Sequence, residues 1–353
     1  MALAVEPIPL GRLEPGDELL QSGLWAELKR QFGWEPHGFR IEGAQGEGSE
    51  DRYTLLALAR GTPLGRLLYV PYGVPPATPL RPLTRELSAT AAATTVRFDL
   101  SWDAATTVDG ARRAVADVQP STTVVVGLDG DDDALLAAMK SKTRYNVRLA
   151  ERRGVSTRVY PAAEALQGPL DAWTGMHADT ARRHGITAHN AAYFRTLFQL
   201  AASADAAATP SGDADLFLIE AWGEGELLAG IVVSVCGRQA RYLYGASSER
   251  QRSSMPNYAL QWAAMRLAKQ RGCSSYDLFG IPPTADPSHP WHGLYRLKTG
   301  FGGEVVQRAG CWDVPGGSWG FRMMRAAERT RSWYFHALRP RLARAPATPA
   351  EGS

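Results

Sequence analysis

The alternation of apolar and polar positions divides the chain into two similar runs of elements. Residues 20–34, LQSGLWAELKRQFGW, carry Leu24, Trp25, Leu28 and Phe32 near an i, i+4 spacing, which predicts a helix. Three short strands follow in HGFRIEG, RYTLLALAR and RLLYVPYG, the first two separated by the polar turn GAQGEGSED at 43–51. TRELSATAAAT is a helical candidate and TTVRFDLSW a strand.

The theme then restarts. TTVVVGL at 122–128 is a β-branched strand, and the stretch after it predicts one long helix over 132–153. Acids open that helix, bases close it, and Gly154 stands at the αL stop. A strand (STRVYPA), two helices (LDAWTGMHADTARRHG, NAAYFRTLFQLAAS) and a loop (ADAAATPSGDAD) come next. Three consecutive strands lie in 214–248, a helix in NYALQWAAMRLAKQRG, a strand in SSYDLFGIPP, and a last hairpin in YRLKTGFGGEVVQRAGCWDV. This is the order of a GNAT-like acyltransferase domain, a mixed sheet flanked by helices, and the first half is a shorter version of it. The fold class is therefore α/β (α+β mixed sheets), with two GNAT-like domains in tandem. The expected boundaries are 1–119 plus 317–345 for the first domain and 120–316 for the second, with a disordered tail at 346–353.

Composition agrees and narrows the class. At 353 residues, 44% hydrophobic and 21% charged, the chain suits a globular protein of two domains. No stretch of about 18 uncharged apolar residues is present to span a membrane, and the N-terminus lacks the basic and apolar regions of a secretory signal. Cys236, Cys273 and Cys311 are far apart, which argues against structural zinc or a disulfide framework and fits a cytoplasmic location. The net charge of +3 is uneven. Residues 140–153 hold six bases and one acid, and residues 317–345 hold seven arginines and one glutamate. Such clusters can hold phosphates, or can be solvated helix faces.

Some chemistry is missing. The junction ASSERQRSSMPNYALQW has no glycine after Gly245, so it lacks the loop that brings backbone N–H groups onto the pyrophosphate of coenzyme A. No GxSxG, HExxH or Walker pattern occurs.

Three stretches, LLAAMKSKTRYNVRLAERRGV, RRHGIT followed by YF, and YDLFGIPP followed by GLYRLKTGFGG, together resemble the FemABX family. GLWAELKRQFGWEP, YVPYG and VRFD match it too, in collinear order over roughly residues 20 to 316. The resemblance implies an aminoacyltransferase that moves an amino acid from aminoacyl-tRNA to the side-chain amine of the third residue of the peptidoglycan stem peptide. The acceptor is then UDP-MurNAc-pentapeptide or its lipid-linked form, and contact with the membrane face is peripheral at most. No sustained heptad occurs between 155 and 300, so the chain is similar to short, FemX-like members without a coiled-coil arm, which points to addition of the first bridge residue. No metal or redox cofactor is implied; aminoacyl-tRNA is a co-substrate.

The same resemblance implies roles residue by residue. Lys29 and Arg183 match the positions that hold the diphosphate, where two cations meet two phosphates. Tyr69, Tyr242 and Tyr244 match substrate-binding positions. Alternation in RYLYGAS puts the last two on one strand face, where a buried pair with satisfied hydroxyls is the other reading. Asp99 matches an acid near the acceptor amine, and would orient or deprotonate it; as a strand-end aspartate it could instead form a turn. The tyrosine that short members carry five residues earlier is here Thr94.

Lys140, Arg144, Arg148 and Arg152 fall at i, i+4, i+8 and i+12 of the expected helix, a stack of cations suited to tRNA or, alternatively, to solvent. Lys298 matches the lysine of the family's closing motif, where a fixed cation would stabilise the charge that develops in acyl transfer. Gly300, Gly302 and Gly303 beside it would admit the tRNA end closely. Read as a strand, YRLK instead sends Arg296 and Lys298 together to one face, which can be solvent. Three further functions stay open: transfer to an amine of a natural product or polysaccharide, coenzyme A-dependent N-acyl transfer, and a tRNA- or nucleotide-sugar-binding protein on an inactive scaffold.

Overall fold

The computed structural model describes residues 3–43, 52–76, 78–103, 108, 110–206, 214–316 and 318–333. Most of the expected turn at 43–51, the loop at 207–213 and the tail at 346–353 lie outside them.

The first half runs β1 (Ala4–Ile8), α1 (Gly23–Gln31), β2 (Glu35–Glu42), β3 (Arg52–Thr62), β4 (Gly65–Pro71), α2 (Leu80–Ala91), β5 (Thr95–Asp103) and β6 (Arg112–Arg113). The second half begins with β7 (Thr122–Gly127), α3 (Asp132–Ala138), α4 (Ser141–Arg152), β8 (Ser156–Pro161), α5 (Ala162–Ala165), α6 (Pro169–His184) and α7 (Ala191–Ala206). It continues with β9 (Asp215–Gly223), β10 (Glu226–Cys236), β11 (Gln239–Ser247), α8 (Pro256–Gln270), β12 (Ser275–Gly280), α9 (His292–Lys298), β13 (Glu304–Pro315) and α10 (Ser318–Trp333).

Among the described residues the strands form one sheet in the order β1-β2-β3-β4-β5-β13-β7-β12-β11-β10-β9-β8, with β6 on β13. Two of its pairings are parallel, β4 with β5 and β11 with β12, and each is spanned by one crossover helix, α2 and α8. The doubled order read from the sequence is thus a doubled topology. β13 joins the two copies. Its residues Glu304–Gln307 pair with β7, and Arg308–Pro315 pair with β5. The boundary expected at 316 therefore follows a strand that completes both half-sheets. α10 returns to the first half through Arg97–Glu328 and Arg325–Asp313 ion pairs of 2.8 and 3.2 Å.

Three apolar clusters fill the layers. One lies beneath α2 on one face of the first half, around Leu83, Leu87 and Phe98. A second lies beneath α4 and α8 on the corresponding face of the second half, around Val147, Leu260 and Phe301. The third covers the opposite face of both halves and runs from α1 through Tyr69 to Trp173, Phe194 and Leu218. α1 forms because Ser22 accepts a capping bond from Trp25 N at 3.1 Å, and its Leu24, Trp25, Ala26 and Leu28 are buried in that shared layer.

Three expectations are corrected. The helix expected over 132–153 is two helices, because Met139 is extended (ψ 147°) and ends α3. The strand expected at YRLK is helix α9, in which Lys298 is buried and Arg296 exposed. Leu294 and Leu297 fall at i, i+3, a helical spacing that strand alternation conceals. The glycines after it serve packing. A Cβ on Gly300 would strike Thr143, one on Gly302 the Ala138 carbonyl, and one on Gly303 the Val125 carbonyl. They seat this segment on α3, α4 and β7.

Candidate functional site

β11 and β12 pair only over Gln239–Arg241 and Ser275–Asp277. Beyond those residues the two strands part, with Tyr242 and Tyr244 on β11 at one side of the opening and Lys298 bonded to Gly280 of β12 at the other. A register shift between Val232 and Val233 places Tyr244 opposite the first and Tyr242 opposite the second, so Leu243 is the extra residue of a β-bulge. The bulge breaks the alternation, and the tyrosines end on opposite faces. Tyr242 packs with the layer under α8, and Tyr244 with the shared layer. Their expected common face is a second correction to period-2 reasoning.

On the shared face, Lys29 of α1 lies 4.2 Å from the Trp25 ring centroid and 5.5 Å from that of Tyr193. Burial lowers its pKa to about 8. No carboxylate lies within ion-pair distance of it among the described residues. His189 stacks on Tyr193 at 3.7 Å, and the Tyr193 and Tyr244 hydroxyls are 3.3 Å apart. Burial, then the Lys29 charge, push His189 below its ordinary value. His177 joins the same aromatic group against Trp173 and Phe194.

Further along this face Tyr69 donates to Asp99 Oδ2 at 3.0 Å, and Gln119 N donates to the same oxygen at 3.0 Å. The other carboxylate oxygen is buried without a hydrogen-bond partner. Burial raises the Asp99 pKa to about 6 against these donors. Trp34 lies 6.3 Å from the Tyr69 ring.

On the other face stands Lys298. It is 5% exposed, its Nζ donates to the Gly280 carbonyl at 2.9 Å, and it sits 4.9 Å from the Tyr242 ring centroid. Burial lowers its pKa to about 7, opposed by the charge of Asp277. Lys298 is thus a seated ammonium in an aromatic and backbone cradle. Arg296 does not share its surroundings. It lines a cleft of about 410 Å³ with Lys140, Lys142, His292 and Tyr295, between α4 and α9.

Charges fill the seam between the halves. Asp277 accepts from Arg241 Nε at 3.2 Å and Arg308 at 3.0 Å, and Arg241 reaches Glu18 at 2.6 and 2.9 Å. Tyr72 lies under both guanidinium groups, at 5.9 and 4.6 Å.

The expected basic stack on the second half is divided. Lys140 precedes α4 and donates to Thr299 Oγ1 at 3.3 Å. Arg144 turns back onto the Leu136, Ala137 and Met139 carbonyls at 3.1–3.3 Å and closes the end of α3. Arg148 and Arg152 are exposed, the latter 5.5 Å from the exposed Tyr145 ring. Arg183 donates to the Ser247 carbonyl at 2.6 Å and borders a cleft of about 480 Å³ with Asp179, Glu226 and Arg250. Its neighbours are a separate set from those of Lys29.

The sequence reading missed His177, His189, Tyr193, Tyr72 and the Asp277 network. Tyr193 and Phe194 are the YF that closes the RRHGIT pattern five residues on, Tyr72 lies inside YVPYG and Asp277 inside YDLFG, so membership of a motif was the available signal.

The model of the FemAB family matches residues 85–203 and 216–329. The chain is 23% identical over 255 residues to the lipid II:glycine glycyltransferase of Staphylococcus saprophyticus, covering 56% of this chain and 59% of that one. To the Staphylococcus aureus enzyme of the same name it is 22% identical over 390 aligned positions, covering 85% and 88%. Its fold is similar to the crystal structure of FemX (TM-score 0.74, 19% identity, 91% of this chain and 100% of that one). A tandem GNAT protein from the clavulanic acid biosynthesis pathway also aligns, with a TM-score of 0.50, 14% identity, and 90% and 99% coverage. No helix among the described residues is long and apolar enough to cross a membrane.

Proposed function

The chain belongs to the FemAB family and is an acyltransferase, and on that premise we propose that it moves an amino acid from aminoacyl-tRNA to the side-chain amine of residue 3 of the peptidoglycan stem peptide. The acceptor is UDP-MurNAc-pentapeptide or its lipid-linked form. The names of the staphylococcal relatives make glycine the first donor residue and lipid II the first acceptor to try. The observation that carries this reading is the opening between β11 and β12, with a buried ammonium on one side and an anion-ready, aromatic face on the other.

The acceptor lies on the shared face. Lys29 and Arg183 bind its phosphates, and Tyr69, Tyr193 and Tyr244 bound its path. Asp99 takes the proton that the attacking ammonium must lose. The freed amine attacks the ester carbonyl through the opening. Lys298 faces the oxygen on which negative charge develops, and such a preplaced donor is worth about 3 kcal/mol of barrier. The new C–N bond forms, the bond to the ribose oxygen breaks, and that oxygen leaves with a proton. Transfer is direct: Cys236, Cys273 and Cys311 are all buried. Arg148, Arg152 and the cleft between α4 and α9 meet the tRNA backbone.

A mixed pool of aminoacyl-tRNAs, incubated with the protein and each acceptor form, gives one added residue by product mass if this is right. Acylation from acyl-CoA with none from charged tRNA would overturn it, and the missing glycine loop after Gly245 speaks against that outcome.

A further inference from the structure

Asp277 is the last residue of β12 that pairs with β11, and it is fully buried. Its carboxylate accepts from the Thr123 hydroxyl, from Arg241 and from Arg308, and at 2.8 Å from the backbone N–H of Phe279. That last bond bears on the site. Phe279 has φ 61°, a left-handed conformation that is strained for a non-glycine residue. An aspartate bonding the N–H two residues on closes an Asx turn, which offsets part of that strain locally. The residue after Phe279 is Gly280, whose carbonyl seats the Lys298 ammonium at 2.9 Å. Gly280 is itself fixed, since a Cβ there would lie 2.6 Å from the Pro120 ring.

We propose that Asp277 is the positioning residue for Lys298: its carboxylate pins the left-handed turn at Phe279, and the turn presents the Gly280 carbonyl that holds the ammonium at the parting of the strands. The proposal deepens the functional reading above and rests on it for the role of Lys298.

A second effect follows from the same placement. Lys298 meets the Gly280 carbonyl and the Tyr242 ring, the charge of Asp277 on β12 acts on it, and Asp277 is itself paired with Arg241 on β11 and Arg308 on β13, while Arg296 and Lys140 line the separate cleft between α4 and α9. Asp277 is the acid in this set, and its charge opposes the burial that lowers the Lys298 pKa. Asp277 therefore also keeps the seated group a cation.

The chain has five lysines, so 13C labelling of lysine Cε gives few signals, and Lys298→Arg identifies the one in question. Asp277→Asn keeps an oxygen for the Phe279 N–H and removes the charge. The Lys298 titration midpoint then falls by about one pH unit. Phe279→Pro keeps the Asp277 charge but removes the N–H that the carboxylate holds and forbids the left-handed φ, so it breaks the turn. The midpoint then rises toward those of exposed lysines, because a loosened seat lets the ammonium reach water. A purely structural role for Asp277 moves the midpoint in neither variant, or in the same direction in both, and either result overturns the proposal. If Asp277→Asn does not fold, an unchanged midpoint in Phe279→Pro alone overturns it. The titration needs no substrate, so a failure of aminoacyl transfer sinks the functional reading and leaves this result standing on its own.

Discussion

Glu18 and Arg241 form a bidentate pair, 2.6 and 2.9 Å, that clamps the first half of the sheet to the second. Glu18 precedes α1, which carries Lys29, and Arg241 precedes the bulge that turns Tyr242 and Tyr244 to opposite faces. Arg241 is 3% exposed, so removing its partner leaves a buried charge with only Asp277 opposite. Loss of one member of such a pair costs about 3 kcal/mol. Glu18→Gln should lower the unfolding free energy in denaturant by that order and also raise the acceptor KM, since α1 loses its register against β11. Unchanged stability would mean that β13 and the shared apolar layer join the halves without help from this pair.

Lys29 gives a prediction about binding. Lys29→Ala should raise the acceptor KM about tenfold or more, equivalent to about 1.4 kcal/mol, and leave kcat nearly unchanged. Because burial lowers the Lys29 pKa to about 8, acceptor binding by the native protein weakens as pH rises through that value. Lys29→Arg stays charged and removes this limb. A KM that ignores both substitutions would place the phosphates elsewhere.

The rate should show a narrow pH optimum. Asp99 works ionised, and its pKa is raised to about 6, so the rate rises with pH through that value. Lys298 works protonated, and its pKa is lowered to about 7, so the rate falls above it. Asp99→Asn removes the acid limb. Lys298→Ala lowers kcat by about a hundredfold or more with little change in acceptor KM. The same shifts enter stability with opposite signs. Lys298 binds its proton more weakly folded than unfolded, so its contribution to stability grows from pH 7 up to its ordinary value of 10.5. Asp99 binds its proton more tightly folded, so its contribution is lost as pH rises from 3.8 to about 6. A flat rate profile across pH 5–9 would remove both residues from the chemistry.

The doubled order of elements was legible because each strand and helix is short, amphipathic and bounded by turn residues. What the sequence could not show came from single residues with nonlocal causes. The extra residue at Leu243 is a matter of pairing with Val232 and Val233, which no alternation within RYLYGAS reveals. Met139 ends α3 in an extended conformation, and the freed carbonyls are met by Arg144 from the next helix. Glycines 300, 302 and 303 read as room for a ligand until their neighbours on α3, α4 and β7 were known. The buried charge network is the largest omission. Glu18, Arg241, Asp277 and Arg308 are scattered along the chain, and each alone reads as a surface charge.

The divided fate of the basic helix separates binding from folding. Arg148 and Arg152 are exposed, whereas Arg144 spends its guanidinium on three backbone carbonyls. If tRNA lies along α4 and the cleft beside α9, Arg148→Ala and Arg152→Ala should each weaken tRNA binding and reduce the slope of log affinity against log salt by about 0.7 to 0.9. Their unfolding midpoints should stay near that of the native chain, since exposed charges contribute little to folding. Arg144→Ala should do the opposite. It leaves α3 carbonyls without donors and costs about 2 kcal/mol of stability, with the salt slope retained. Arg296→Ala, at the mouth of the cleft, should behave like Arg148→Ala. If Arg144 alone changed the salt slope, tRNA would have to reach the end of α3, and the division between the two sets of arginines would be wrong.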